Sequence, residues 1–526
     1  MSTKPEYHEY EEFQNRSRKL EELRALGIEP FPHRFDPTHT VDGLLQDIGD
    51  APLGDSAAGE AGSTQEVEIA GRLVLFRAMG KNAFGHLSGD SERIQVMFNR
   101  DHTQLSDYKV EDEQSPKPIK IIEKKLDLGD IVGVRGHLFR TGKGEVTIYA
   151  KEVTLLSKSL LPLPDKHAGL HDKELRYRKR WLDLISNPDV RQTFALRSKI
   201  LQFTRRYLEN QDFLEVETPV LQSQYGGAEA RPFETQLNAL DQHMYLRISL
   251  ELPLKKLLIG GAERVFELGK VFRNEGIDRN HNPEFTLLEA YAAYWDYKDM
   301  MCLVENLYEK LALELFGTTE LPVHLPGQEE PTLIDVKAPW RRLTMKESLH
   351  EYANIDVDSL SDDALKERLI GKDDEDALKV NSLSRGLLIA KLFEAEVEHK
   401  LIQPHHITDH PEETTPLCKQ HRCIEERDQG LIERFESFIL GGEACNAYSE
   451  LNDPERQRLL LEKQVENRLK GDEEAHPMDE EFLEAMCQGM PPAAGVGIGM
   501  DRLIMLFTDS ASIRDVLYFP WMKPSG

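Results

Sequence analysis

A chain of 526 residues is too long for one ordinary hydrophobic core and predicts two or more domains. Its 40% hydrophobic and 30% charged residues suit a soluble globular protein, and five scattered cysteines, an odd number, argue against a disulfide framework. A formal charge of −28 argues against non-specific nucleic-acid binding but does not exclude an RNA held by a local basic surface. No run reaches the length of a membrane helix, and the opening MSTKPEYHEYEEF is acidic and polar, unlike a signal peptide, so a cytoplasmic protein is expected.

In chain order, residues 7–26 predict a helix, with Phe13, Leu20 and Leu23 at near-helical spacing, glutamates early and Gly27 as the stop. Residues 29–64, rich in proline, glycine, aspartate and serine, predict a partly mobile connector. From Glu66 the period changes to two. VEIAGRLVLFRAMG, NAFGHLS, RIQVMFN, DIVGVRGHLFRT and EVTIYAKEVTLL predict five strands, with 106–120 an exposed insertion. That count is compatible with a generic small barrel or with an oligonucleotide-binding (OB) fold. LPLPDK at 161–166 is a proline-punctuated link, and the basic run 166–180 is either a solvated linker or a surface for RNA. Residues 191–210 predict a helix offering Phe194, Ile200, Leu201, Phe203 and Leu208 for burial.

Residues 265–297, VFELGKVFRNEGIDRNHNPEFTLLEAYAAYWDY, predict strand, loop, strand. Alternation puts Arg273 and Glu275 on one face, and Phe285, Leu287, Glu289 and Tyr291 together on one face of the returning strand. Arg273 offers a planar fork for phosphate or carboxylate, and Phe285 a plane for stacking a base. A hairpin with surface ion pairs is the alternative. In ERFESFILGGEACNAYSEL (433–451), Gly441-Gly442 predicts a hairpin turn, which places Glu436 and Glu443 on one face. Two such carboxylates either share a cation such as Mg²⁺ or are solvated edge residues. Strict alternation puts Asn446, Tyr448 and Glu450 on the opposite face, so a bulge near Ala444-Cys445 is required if both sets meet one ligand. Glu251, at a strand-to-helix turn, reads from its position as a helix cap. Asp501 predicts an N-cap that leaves Arg502 in a first helical turn. His405, His406, His410, Cys418, His421 and Cys423 crowd one segment, without the spacing of a standard zinc site.

FRNEG followed by RNHNPEFTLLE resembles motif 2 of the class II aminoacyl-tRNA synthetases. LENQDFLEVETPVLQ (208–222) resembles motif 1 and AGVGIGMDRLIMLF (494–507) motif 3, in the family's order. Over nearly the whole chain the resemblance is to the class II lysyl-tRNA synthetases. It implies an α+β protein: a helix and OB-fold anticodon-binding β-barrel at 1–160, a basic linker at 161–190, and a class II catalytic domain at 191–526, built on an antiparallel sheet flanked by helices.

The activity so implied is ATP-dependent activation of L-lysine and its transfer to tRNA(Lys) by a homodimer formed through motif 1. The aspartate or asparagine synthetases of the same class and a non-catalytic RNA-binding relative are the alternatives. The resemblance implies that Gly227, Glu251, Glu289, Tyr291, Asn446, Tyr448 and Glu450 surround lysine. Arg273, Glu275, His281, Asn282, Phe285, Gly499 and Arg502 would hold ATP, with Arg273 and Arg502 catalytic and Phe285 stacking adenine against Arg502. Glu436 and Glu443 would anchor Mg²⁺. Arg77, Phe84, Gln95 and Glu145 would meet the anticodon; a place in the barrel core is the competing reading of Phe84. Glu450 argues for a cationic side chain in the substrate, because a buried carboxylate is costly without a partner.

Overall fold

The computed structural model describes residues 5–53, 66–112, 114–164, 170–370, 377–470 and 474–524. The chain forms two compact units, Met1–Gln192 and Thr193–Gly526.

In the first unit a 3₁₀ turn, Glu6–Glu9, precedes the α-helix Glu11–Ala25, so the expected first helix begins four residues late, and Gly27 ends it at φ +77°. The expected connector contains a second helix, Val41–Ile48, with Thr40 Oγ1 accepting the Gly43 N–H at 3.0 Å and Val41 and Leu44 buried. A side-chain cap and two buried apolar residues outweigh the loop-like composition around them. Residues 54–64 of that connector and 166–169 of the basic run lie outside the described residues.

The strands are β1 (Glu66–Met79), β2 (Asn82–Ser88), β3 (Arg93–Asn99), β4 (Gln104–Leu105), β5 (Ile131–Arg140) and β6 (Val146–Ser157). Their order is β3-β2-β1-β5-β6, and a parallel β3–β6 pairing closes the barrel. Ile69, Ile94, Val96, Phe98, Val134 and Ile148 fill it. The expected exposed insertion ends in a helix, Pro118–Lys125, whose Ile119, Ile121 and Ile122 join that core. Apolar residues spaced along one helical face make this segment part of the barrel's packing.

The second unit opens with the remainder of the helix Pro188–Glu209 and then β7 (Leu214–Glu215). A small sheet follows from β8 (Leu221–Gln222), β9 (Glu234–Leu237) and β10 (Gln242–Leu246). Then come β11 (Arg264–Phe272), β12 (Glu284–Ala293), the pair β13 (Glu320–Val323) and β14 (Thr332–Asp335), β15 (Arg341–Thr344), β16 (His405–Pro411), β17 (Leu431–Ile439), β18 (Gly442–Ser449) and β19 (Ala493–Gly499). The main sheet runs β15-β16-β17-β18-β19-β12-β11-β7, antiparallel except for its outermost pairs, β15–β16 and β11–β7.

The two faces of this sheet divide the labour. Leu288, Ala290, Ala447, Val496 and Ile498 pack with Met300, Val304, Leu307 and Leu311 of the helix Tyr297–Phe316 and with Leu503, Ile504 and Phe507 of the helix Met500–Phe507. Their neighbours of opposite parity, including Leu287, Glu289, Tyr291, Asn446, Tyr448, Gly495 and Gly497, line a cleft on the other face.

Candidate active site and RNA face

The cleft has a cavity of about 400 Å³. Every residue expected to meet lysine, ATP or Mg²⁺ lines it except Glu450. The turn joining β17 and β18 is centred one residue earlier than expected: Leu440 and Gly441 take φ +57° and +70°, and Ile439 pairs with Gly442. Phe438 pairs with Glu443 but Ser437 with Cys445, so Ala444 is the extra residue of a bulge. That bulge lets Glu443 share the cleft with Asn446 and Tyr448.

At one end of the cleft, carboxylates gather with little counter-charge. Glu289 accepts the Ser249 hydroxyl at 2.7 Å and the Leu250 N–H at 2.8 Å on Oε1, and the Tyr291 hydroxyl at 2.9 Å on Oε2. Burial, and then the nearby Glu251, push Glu289 up to about 7. Glu251 begins the helix Glu251–Ile259 without capping it; its Oε1 accepts the Tyr448 hydroxyl at 2.6 Å and an ion pair from Lys255. Glu450 lies under the cleft floor, 1% exposed, ion-paired to Lys255, and its Oε1 has no hydrogen-bond partner. Burial pushes Glu450 up, and Lys255 opposes that. A methyl group on Gly495 would collide with the Tyr291 ring and with Glu450 Oε1, so only glycine leaves room for both side chains over the strand.

At the other end, cationic groups gather. Arg273 follows β11, with its guanidinium carbon 5.2 Å from the centre of the Phe285 ring. Arg502, in the first turn of its helix, donates to the Glu443 carbonyl at 2.6 Å and lies 3.3 Å from His281 Nε2. His281 is oriented by Asp278 at 2.8 Å and Asn282 by the Glu284 carbonyl at 2.6 Å. In this arrangement Phe285 faces Arg273, while Arg502 belongs with His281 and Glu443. Asp501 is not the helix cap, a position held by Gly499. Its carboxylate accepts Arg197 Nη1 at 2.6 Å and the Thr286 N–H at 2.7 Å, pinning the helix to β12.

Glu436 and Glu443 line the cleft beside these cations. Glu443, its side chain still 42% exposed, is pushed up by burial and then by Glu436, while Arg502, Arg434 and Arg273 pull it down. The crowded histidines further along serve other ends. His405 contacts the Tyr352 hydroxyl, His406 bridges Ser437 and Glu305, and His410 faces the Ile407 carbonyl; no metal-binding cluster occurs among the described residues.

On the barrel, Arg77 pairs with Phe84, Phe84 with Met97, and His86 with Gln95, so these residues share one face. Phe84 is half-buried on a small cluster of Met97, Phe139 and Tyr149, separate from the barrel core. Glu145 accepts from Gln95 Nε2 at 2.7 Å and contacts His86 at 2.9 Å, while Gln95 Oε1 accepts the Thr147 hydroxyl at 2.9 Å. The face thus presents a ring, a basic side chain and an oriented amide, the elements used to stack and read unpaired bases.

Residues 172–523 match the family model described as tRNA synthetases class II (D, K and N), and 67–156 match the OB-fold nucleic acid binding domain. A lysine–tRNA ligase of Chlamydia felis is 56% identical over 524 residues, 99% of each chain. One of Chlamydia pneumoniae is also 56% identical, over 99% of this chain and 98% of its own. One of Nostoc punctiforme is 46% identical over 97% of this chain and 87% of its own. The chain belongs to the class II lysyl-tRNA synthetases.

For a lysyl-tRNA synthetase the most informative residues are those that sequence reasoning missed. Lys255 stands one helical turn after Glu251, and that i, i+4 spacing was a usable signal. Arg434, on the same strand face as Glu436, donates to it at 2.5 Å and to Asn446 Oδ1 at 3.1 Å. His476, held down to about 4 by burial and then by Lys255, reaches the cleft from a distant segment and left no local trace. His86 sits two residues beyond Phe84 on the strand period.

Proposed function

We propose that the carboxylate-rich end of the cleft binds L-lysine and the cation-rich end binds ATP, for formation of lysyl-adenylate followed by transfer to the 3′ end of tRNA(Lys). One observation carries the assignment of the ends. Glu251, Glu289 and Glu450 are each at most 4% exposed, and Lys255 is the internal cation paired within that set. The α- and ε-ammonium groups of lysine supply the missing charge, whereas an aspartate side chain would add to the excess.

In the first step a carboxylate oxygen of lysine attacks the α-phosphorus and pyrophosphate leaves. Arg273 is positioned to bridge the two reacting anions, and Arg502 with His281 to hold the terminal phosphate. Phe285 stacks the base, and Glu275, Asn282 and Gly499 complete the nucleotide wall. Glu436 and Glu443 would hold Mg²⁺, which when bound supplies positive charge to the phosphates. In the second step the terminal ribose hydroxyl attacks the adenylate carbonyl and AMP leaves. Positioning and charge neutralisation suffice for both steps, and no side chain is required as a dedicated base.

The domain reading assigns 1–160 to anticodon binding through Arg77, Phe84, Gln95 and Glu145, 161–190 to a linker and 191–526 to catalysis. A homodimer through motif 1 fits its exposed apolar side chains, Leu214, Val220 and Leu221. No helix among the described residues is long and apolar enough to cross a membrane, and the reading places the enzyme in the cytoplasm. ATP–pyrophosphate exchange across a panel of amino acids, with Mg²⁺ and without tRNA, tests the proposal. Exchange is expected with lysine. Exchange driven by aspartate or asparagine would overturn the pocket assignment.

A further inference from the structure

Lys255 is fully buried, and its ammonium ion-pairs with both Glu251 and Glu450. It also lies 5.4 Å from the centre of the Tyr448 ring. Two acidic residues from separate elements thus converge on one internal ammonium, one lining the cleft and the other beneath its floor. Both donors to Glu251, Lys255 and Tyr448, use Oε1, which leaves the other oxygen of this cleft-lining residue for a ligand. Burial alone would pull the Lys255 ammonium down, but Glu251 and Glu450 together push it up, so it stays charged in a dry site. The other titratable groups around this cluster are Glu289, Tyr291, Tyr448, Cys418 and His476, none of them a standing cation.

We propose that Lys255 is a positioning residue that sets the charge count of the amino-acid site. By balancing one of three buried carboxylates, it leaves a site that is satisfied by a ligand bringing two ammonium groups, not one or three. The inference rests on the lysine-binding reading above. Lys255 acts through Glu251 and Glu450: its ammonium pairs with both before the ligand arrives and works against the burial that raises Glu450, so that lysine has fewer protons to displace on binding. Without it, a buried carboxylate would take up a proton at neutral pH, and lysine would have to expel that proton to bind.

The test is the KM for lysine in ATP–pyrophosphate exchange from pH 6.5 to 9. For Lys255→Met the KM is expected to rise about tenfold or more at pH 7 and to fall back toward pH 9, as the carboxylates ionise, with the KM for ATP within about twofold throughout. Adding Glu450→Gln restores the charge count and is expected to return the pH profile to the wild-type shape, whatever the absolute KM. A Lys255→Met profile parallel to wild type, or a double variant as pH-dependent as the single one, overturns the proposal.

Calorimetry of lysine binding to the unaltered protein at pH 7, in two buffers of different ionisation enthalpy, provides a second check that needs no variant. Release of at most about one proton from Glu289, plus the fraction of one that burial leaves on Glu450 against Lys255, is expected. Release of clearly more shows that Lys255 does not keep its partners ionised. Absence of any lysine-dependent heat or exchange in the unaltered protein would instead overturn the lysine-binding reading itself.

Discussion

At the scale of single residues, the cleft opposes two kinds of charge, and each kind yields a prediction. Arg273 is the cation placed over Phe285, at the proposed junction of the two substrates. Arg273→Ala is expected to lower lysine-dependent exchange by about 10² to 10³-fold or more, as loss of a preorganised charge-stabilising group does; activity within about threefold of wild type would remove it from the reaction. At the opposite end, Glu289 is raised to about 7 by burial and then by Glu251. A folded-state value above the unfolded one means the native state binds its proton more tightly, so this contribution to stability is present at low pH and lost as pH rises from the ordinary carboxylate range through about 7. A bound ammonium relieves that loss. The thermal stabilisation produced by saturating lysine is therefore expected to grow between pH 6 and pH 8, as read by calorimetry or dye-monitored unfolding. A lysine-induced shift that shrank over this range would contradict the placement of Glu289 beside the ligand.

At the scale of elements, one residue of β18 decides what the strand presents. Ala444 is the extra residue of the bulge, so deleting it leaves Glu443 and Asn446 on the same face of a regular strand. Deleting Ala447 instead swings Tyr448 and Glu450 to the face packed against the helices. The first deletion is expected to fold and keep measurable exchange. The second should lose soluble protein or at least about a hundredfold in activity, because a carboxylate would enter an apolar core. Equal damage from both, by thermal unfolding and exchange assay, would argue against the bulge as the device that aligns the two halves of the site. This is also where the limits of reading by period show. Alternation along β12 was enough to group Phe285, Leu287, Glu289 and Tyr291, since both flanking strands keep register throughout. On β18 the need for a bulge was legible, but the turn was misplaced by one residue, because Leu440, unlike glycine, gives no hint of positive φ.

At the scale of the whole molecule, the proposed site of adenylate formation and the candidate RNA face lie in separate compact units. Phe84→Ala is accordingly expected to leave exchange within about twofold of wild type while weakening tRNA charging by about tenfold, in line with loss of one stacked base of 1–3 kcal/mol. Comparable damage to both reactions would count against the assignment of the barrel to the anticodon.

Local pattern and the motifs that carry the family resemblance determined the two-part organisation, the five barrel strands, the strand–loop–strand of 265–297 and the cleft residues expected to meet lysine, ATP and Mg²⁺. These features depend on backbone period and on short motifs whose residues are close in sequence. Only tertiary structure decided that residues 41–48 and 118–125 are helices packed on the barrel, that Asp501 pins β12 in place of capping its helix, and that Glu450 sits beneath the floor with Lys255. Each of those outcomes is settled by a contact between segments far apart in the chain. Burial, and the charge pairing that burial compels, are properties of that assembled neighbourhood.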